Sequence, residues 1–515
     1  MGRKSSAKYD EKATRMLIVR QIKAQVPAFS RLPRDEKREI VQKTMRAIEK
    51  HLRDGTLDVP PMEDAERLNL QQPLDRIISL DKLQTLLERH HQSVLPFPVI
   101  NKRHISDSLL KVIDGVLDDS FLNANILKPI GGDYSKRDWL PAQLLRFELL
   151  RTALYPEFSC RKFCSFMASK ERKQERAFCG LPLHNTHMCD HSRLSRFRYE
   201  LDAAQRINLM VYIIHKFIEA GCVNLTNVYA LDASDIQTSV DTKPLMKLEL
   251  PDGKVVRIYS DIDCDCGPRR SKRNKSRMYV GYKLHTLCIC DASKGIAFPL
   301  LSFLSAANHH DSQILLPMMK LAEAVGLEIK FLAADEAYAD KPKQQELLDK
   351  GISVVTPPES KAKTKPQAVD EKGQVFFDEL CENPMEWSGY DTECQCHCFV
   401  CSGCEACPRF EACPKERNIS IDTKFFGPVP RCSQYFDDII NQRKHAERPF
   451  NLIKHMDGLE PCRMRSMDSI STQATLSQIV GLFKVMAKLR AQPKKKKGGM
   501  KSLKQQEFQF VRVGA

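Results

Sequence analysis

The sequence predicts an α/β protein: a mixed sheet flanked by helices, preceded by a helical amino-terminal region and interrupted by a cysteine-rich insertion before the last helices. Three observations predict it. Up to about Val223, apolar residues recur at three-and-four spacing. From Asn227 onward the pattern reads strand, hairpin, helix, strand, helix, strand. Between Pro357 and Pro430 the pattern gives way to polar residues and cysteines, and helical spacing resumes near Gln434.

The helical part includes "DEKREIVQKTMRAIEKHLRDG", "PLDRIISLDKLQTLLERHHQ", "LPAQLLRFELLRTALY" and "LDAAQRINLMVYIIHKFIEAG". Their apolar stripes predict helix-to-helix packing, and no strand-like alternation stands out before Asn227. In the mixed part, "NVYALDAS" is a short apolar run ending in an acid. "RMYVGYKLHTLCIC" and "GIAFPLLSFLSA", separated by "DASK", read as a hairpin. "DSQILLPMMKLAEAVG" has helical spacing, and His309 and His310 just before it read as helix-entry or packing residues. "LEIKFLAAD" is a buried strand, "KPKQQELLDKG" a short helix, and "ISVVTPP" a last strand stopped by prolines. "PRRSKRNKSR" reads as a solvated basic loop ahead of the "GYKLH" strand, able to follow a nucleic-acid backbone.

At 515 residues, with 42% apolar and 28% charged, the composition suits a folded chain of several domains rather than a disordered one. The formal charge of +15 gathers at Arg269 to Arg277, at Arg443 to His455 and in the tail "PKKKKGGMK". A cationic excess of this kind suits a polyanion, because neutralising phosphates releases condensed counterions. No apolar run approaches bilayer length, and the start resembles no export signal, so the expectation is a soluble cytoplasmic protein without membrane partners. Its 19 cysteines are then expected as thiols or metal ligands rather than disulfides.

Two strand candidates end in an acid, Asp232 after "VYAL" and Asp335 after "FLAA". Alone, each reads as a turn or capping residue. A third acid, Glu447, stands in "NQRKHAERPFNLIKH" among six Arg, Lys or His side chains, with Arg443 one helical turn before it. Read alone, that helix is a solvated face with a four-residue salt bridge. Three convergent acids would repel unless divalent cations fill the space between them, and two Mg²⁺ about 4 Å apart can activate an attacking oxygen and stabilise a leaving one at a phosphodiester.

Taken together, these motifs resemble the DDE transposases of bacterial insertion sequences, the group marked by a Tyr, Arg, Glu, Lys signature. "RKHAERPFNLIK" supplies Arg443, Glu447 and Lys454; "AADEAYAD" is similar to the second-acid motif through Asp335, Ala337 and Tyr338; "YALDAS" is similar to the first, at Asp232. "GYKLH" and "ANHHDSQILLP" resemble the segments between the first two acids, and "LRFELLRTAL" with "CDHSRLSRFRYEL" the helical region upstream. The signature tyrosine is replaced by Ile440, and Pro449 follows Glu447, where a helix interior would lose a hydrogen bond and kink.

The resemblance implies an RNase H-like core that binds two Mg²⁺ through Asp232, Asp335 and Glu447, nicks element ends and transfers strands to target DNA. The implied partners are terminal inverted repeats and target DNA, met as a homodimer by a nucleoid-associated protein. Arg443, Arg448, Lys454 and Lys283 would face DNA phosphates. The expected domains are a DNA-binding region at 1–223, core at 224–356, insertion at 357–430, core again at 431–490, and a basic tail at 491–515. Ile440 and Pro449 keep open a second reading, a catalytically inactive DNA-binding descendant.

In the insertion, "CQCHCFVCSGCEACPRFEACP" sets Cys398, Cys401, Cys404 and Cys407 at two-residue gaps, with Cys413 following. Repeated C-x2-C pairs are metal-ligand spacing, with Zn²⁺ the first candidate, as a clamp for a segment without a core of its own. An iron–sulfur cluster is the competing occupant. Cys264 and Cys266 in "DCDCGP" could join the set or stay unliganded.

Overall fold

The computed structural model describes residues 11–491 apart from 28, 55–73, 91–99, 128–138, 272–273, 292–295, 358–367, 371, 380, 382, 392–393, 395, 402–414, 421–426, 452, 455–458 and 461–463. The basic tail expected at 491–515 lies outside them except for its first residue.

The central sheet is built from β1 (Val228–Gln237), β4 (Asp265–Ser271), β5 (Asn274–Asp291), β6 (Ile296–Ala306), β7 (Phe331–Ala334) and β8 (Ser353–Val355). Its order is β4-β5-β1-β7-β8, with β6 also on β5. Strand β5 is 18 residues long, so its first part pairs with β4 and its second with β6, both antiparallel. β1 runs antiparallel to β5 but parallel to β7, and β7 parallel to β8. This is the mixed sheet of the RNase H-like expectation. The run "VYAL" is apolar throughout because both faces of β1 are covered. Tyr229 and Leu231 pack on one face with Leu332, Ala334 and the helical residues Ile213, Met318 and Phe483. Val228 and Ala230 pack on the other with Phe331, Ala333, Ile439 and Ala446.

The described helices are α1 (Glu11–Gln25), α2 (Arg34–Arg53), α3 (Leu80–Glu88), α4 (Ser108–Val116), α5 (Pro141–Leu154), α6 (Cys160–Met167), α7 (Lys173–Phe178), α8 (His191–Glu200), α9 (Ala203–Glu219), α10 (Leu315–Val325), α11 (Lys341–Asp349), α12 (Gln434–Asn451) and α13 (Met467–Ala491), with shorter turns between them. Their starts follow capping chemistry: the side chains of Ser79, Asp107, Ser159 and Asp190 each accept a first-turn N–H, and Asp202 forms a capping box with Gln205. None of the described helices is long and apolar enough to cross a membrane.

The helical region is joined to the end of the chain by a buried polar knot. Glu148 of α5, fully buried, accepts from Arg151 at 2.8 Å and from Arg198 of α8 at 2.7 Å. Both arginines also donate to Gln473 of α13, at 3.3 and 2.9 Å. Burial alone would raise the Glu148 pKa, but the two guanidiniums outweigh it and hold the carboxyl below its usual range.

Three elements differ from the sequence expectation. Strands β2 (Met246–Glu249) and β3 (Val255–Ile258) form a hairpin whose apolar side packs on α1 and α2 in a small core with Ile18, Ile22, Val41 and Ile48. Here α1 is fastened to the approach to β4: Arg15 donates to the carbonyls of Ile262 (2.9 Å) and Cys264 (2.6 Å), and Lys23 lies 2.6 Å from Asp263. Second, the basic run after Cys264 is β4 and the start of β5, paired from Asp265↔Gly281 to Ser271↔Asn274, rather than a loop. Third, the insertion has a core of its own. Strands β9 (Glu386–Asp391), β10 (Cys396–Val400) and β11 (Glu416–Ser420) make an antiparallel sheet beside Val369, Val375, Met385, Phe399 and Ile419. Those five residues are so widely spaced along the chain that no local periodicity betrays them.

Replacing Glu148 by Gln leaves two buried guanidiniums without their carboxylate. The expected loss is about 3 kcal/mol or more in urea unfolding, against under about 1 kcal/mol for Arg193→Gln, whose pair with Glu200 is more exposed.

Candidate active site

Register brings the first two acids together. The parallel β1–β7 ladder ends at Leu231↔Ala334, so Asp232 and Asp335 are the next residues on adjacent strands, which lie about 4.8 Å apart. Asp232 is buried, and one carboxylate oxygen accepts the N–H of Ala233 at 2.9 Å. Asp335 caps the turn Glu336–Tyr338, accepting the N–H of Glu336 at 2.8 Å. In Asp335 the oxygen that accepts this N–H, Oδ1, also lies 3.4 Å from Arg443.

The third acid comes from α12, which lies across the β1, β7 face because Ile439 and Ala446 are buried among Val228, Ala230, Phe331 and Ala333. Ala446 seats the helix at the strand ends, and its neighbour Glu447 is exposed there. One turn back, Arg443 lies 3.4 Å from Asp335, and its buried Nε has no hydrogen-bond partner among the described residues. Electrostatics ties the four groups together. Burial pushes the Asp232 carboxyl up to about 6; Arg443 opposes the rise, and the carboxylates of Glu447 and Asp335 add to it.

The remaining predicted residues are placed as follows. Lys454 is buried; its Nζ donates to the carbonyl of Asp235 and lies 3.6 Å from Glu460, while burial lowers its pKa against the pull of Glu460. Lys283 is 2.8 Å from Asp311 and donates to the carbonyl of His309 at 3.1 Å. Both lysines, expected to meet phosphate, therefore have partners within the chain. The side chain of Arg448 lies outside the described residues. Ile440 packs with Tyr435 and Phe436 against the sheet, so the position of the signature tyrosine is used as an apolar contact. Helix α12 continues through Pro449 to Asn451, which confines the missing N–H to its last turn. His310 caps the turn at Asp311–Ile314, and His309 is buried, as helix-entry residues should be.

Sequence reasoning passed over Asp235, three residues beyond Asp232. Its carboxylate accepts from Tyr279 at 2.9 Å and lies 4.0 Å from Arg269. The only signal was a second acid in "LDASD".

Of the candidate zinc ligands, Cys398 and Cys401 are half-buried, while Cys404, Cys407 and Cys413 lie outside the described residues. Cys394 and Cys396 form a disulfide, which corrects the expectation of thiols throughout, since the two side chains approach each other at the turn into β10. With that bond reduced, the two thiolates and the Asp391 carboxylate would put three ligand atoms within 4.8 Å of one another. Cys264 is buried and donates to the carbonyl of Asp261 at 3.1 Å.

Residues 225–481 match the family model described as the transposase DDE domain. The chain belongs to the DDE transposases. The match takes in β1, β7 and α12, and with them Asp232, Asp335 and Glu447. No curated protein matches the chain. Among solved structures, it is similar to a piggyBac transposase in a synaptic complex with hairpin DNA. The identity is 12% and the TM-score 0.28, over 77% of this chain and 82% of that one.

The acid cluster predicts an unusual pH dependence. Because the folded-state pKa of Asp232 is raised, its ionisation works against folding. That cost is absent below the ordinary value of 3.8, grows as pH rises to about 6 and is constant above. Asp232→Asn is expected to stabilise the metal-free DDE transposase at pH 8 by up to about 3 kcal/mol, with the advantage fading towards pH 4. Thermal unfolding across that pH range measures it.

Proposed function

We propose that this DDE transposase cuts DNA at the ends of an insertion sequence and joins them to target DNA in a Mg²⁺-dependent reaction, with Asp232, Asp335 and Glu447 as the metal-holding acids. What supports the reading is the β1–β7 register, which sets Asp232 and Asp335 one residue past the last pair of adjacent strands, with Glu447 on the helix laid across them and both of the other carboxylates raising the Asp232 pKa. The donor set suits Mg²⁺: hard carboxylate oxygens, with Asp232 and Asp335 each accepting a backbone N–H, on groups that run from buried Asp232 to exposed Glu447, where water would complete a cation's shell. Bound there, the ions would supply activation of the attacking oxygen and charge neutralisation at the leaving oxygen.

The chain's own groups do the rest. The ends of β1 and β7 fix two acids relative to each other, and α12 delivers the third. Arg443, whose Nε has no hydrogen-bond partner among the described residues, turns from Asp335 to a DNA phosphate when cations take over the acids. Neighbouring Arg448 and the overall +15 charge extend the phosphate contact. Terminal inverted repeats and target DNA are the substrates, and a homodimer pairs the two ends. In the insertion, thiolates drawn from Cys398, Cys401, Cys404, Cys407 and Cys413 would hold Zn²⁺.

Asp232→Asn, Asp335→Asn or Glu447→Gln should each lower Mg²⁺-dependent nicking of an end-containing duplex by about 10³-fold, near 4 kcal/mol of barrier. Gel-shift affinity for the same duplex should stay near wild type; nicking retained in all three variants would refute the assignment. For the insertion, protein purified under reducing conditions is expected to carry zinc by elemental analysis, and to lose it when Cys398 and Cys401 are changed to Ser.

A further inference from the structure

Beneath the acids, on the sheet face away from α12, runs a buried chain of polar side chains. Tyr338, the third residue after Asp335, packs in the cluster that holds Leu231 and Ala334. Its hydroxyl lies 2.8 Å from Nδ1 of His285, and Nε2 of His285 lies 2.9 Å from Oγ of Ser305. All three residues are fully buried, so no water replaces a lost bond. Burial also lowers the His285 pKa to about 4. A neutral imidazole donates from one nitrogen and accepts at the other, which matches two hydroxyl partners that can each turn to suit it.

The topology gives this chain its meaning. Strands lie in the order β7, β1, β5, β6. His285 on β5 stands opposite Ala233 on β1, next to Asp232, and opposite Phe303 on β6. The hydroxyl of Tyr338 thus reaches from the end of β7, past β1 at the level of Asp232, to β5, and Ser305 extends the line to β6. Without it, the parallel ladder that sets Asp335 beside Asp232 stops one residue short of both. The turn itself is stiff: the N–H of Tyr338 donates to the carbonyl of Asp335 at 2.9 Å, so anchoring the ring anchors the acid.

We propose that Tyr338 and His285 are positioning residues that hold the Asp335 turn against β5 and thereby set the affinity of the acid cluster for divalent cations. This rests on the reading of Asp232, Asp335 and Glu447 as metal-holding acids. Partners behind a metal ligand commonly change affinity by about tenfold or more when removed.

The test is Mn²⁺ titration of the full-length protein by calorimetry, with thermal unfolding alongside, for wild type, Tyr338→Phe, His285→Gln and Asp335→Asn. Tyr155→Phe is the control, because it removes a comparable hydroxyl contact, to Glu175 at 2.8 Å, in the helical region. Tyr338→Phe is expected to weaken Mn²⁺ binding about tenfold and to raise the Mn²⁺ needed for half-maximal nicking equally, with the rate at saturating Mn²⁺ near wild type. His285→Gln, whose amide can still meet the tyrosine hydroxyl, should fall between. Tyr155→Phe should lower stability without moving Mn²⁺ affinity. Wild-type Mn²⁺ affinity in both Tyr338→Phe and His285→Gln, with Asp335→Asn failing to bind, overturns the brace alone. Unchanged binding in Asp335→Asn overturns the metal reading beneath it.

Discussion

The parallel pairing of β1 with β7 is the constraint on which the rest of the structure depends. It joins residues about a hundred positions apart, and its last pair, Leu231 with Ala334, leaves the following residue of each strand at the same edge. Those residues are Asp232 and Asp335. An alternating strand shifted by one position would turn its side chain to the other face, so the pairing register decides whether a shared site exists at all.

Placing like charges together has a cost that the fold accommodates locally. Asp232 is buried with two other carboxylates acting on it, and Arg443 is the cation that offsets them. Its contact with Asp335, at 3.4 Å, is longer than those that enclose Glu148. The helix that carries Glu447 and Arg443 is held from below by Ile439, Ala446 and Phe450, so the apolar face fixes the geometry and the polar face keeps its freedom. Elsewhere the molecule treats buried charge differently. Glu148 is enclosed by two arginines, which also donate to Gln473, a closed arrangement suited to joining helices rather than to chemistry.

Most of the catalytic half was legible in the sequence because its elements are local and strongly patterned. "VYAL" and "FLAA" are buried strands, the hairpin at Met278 to Ala306 has a turn between two β-rich runs, and the acids follow strand ends. What stayed hidden depends on contacts between distant segments. The β2–β3 hairpin is four residues a side and finds its apolar cover on α1 and α2, some two hundred residues earlier. The basic segment at Arg269 reads as solvated loop because its charge masks its pairing with β5. Lys283 and Lys454 carry charge that sequence assigns to DNA, yet acceptors from other elements, Asp311 and Glu460, take them up. The bond from His285 to Tyr338 belongs to the same class: both residues sit in recognisable motifs, and nothing in either motif says that they meet.

The central claim is that three acids from β1, β7 and α12 form one divalent-cation site. Anomalous diffraction from crystals soaked in Mn²⁺ tests it most directly. The account predicts manganese within about 2.0–2.6 Å of carboxylate oxygens of Asp232, Asp335 and Glu447, with Arg443 swung away from Asp335. Manganese bound only elsewhere at saturating concentration, or one of the three acids held more than about 10 Å from the other two, would contradict it.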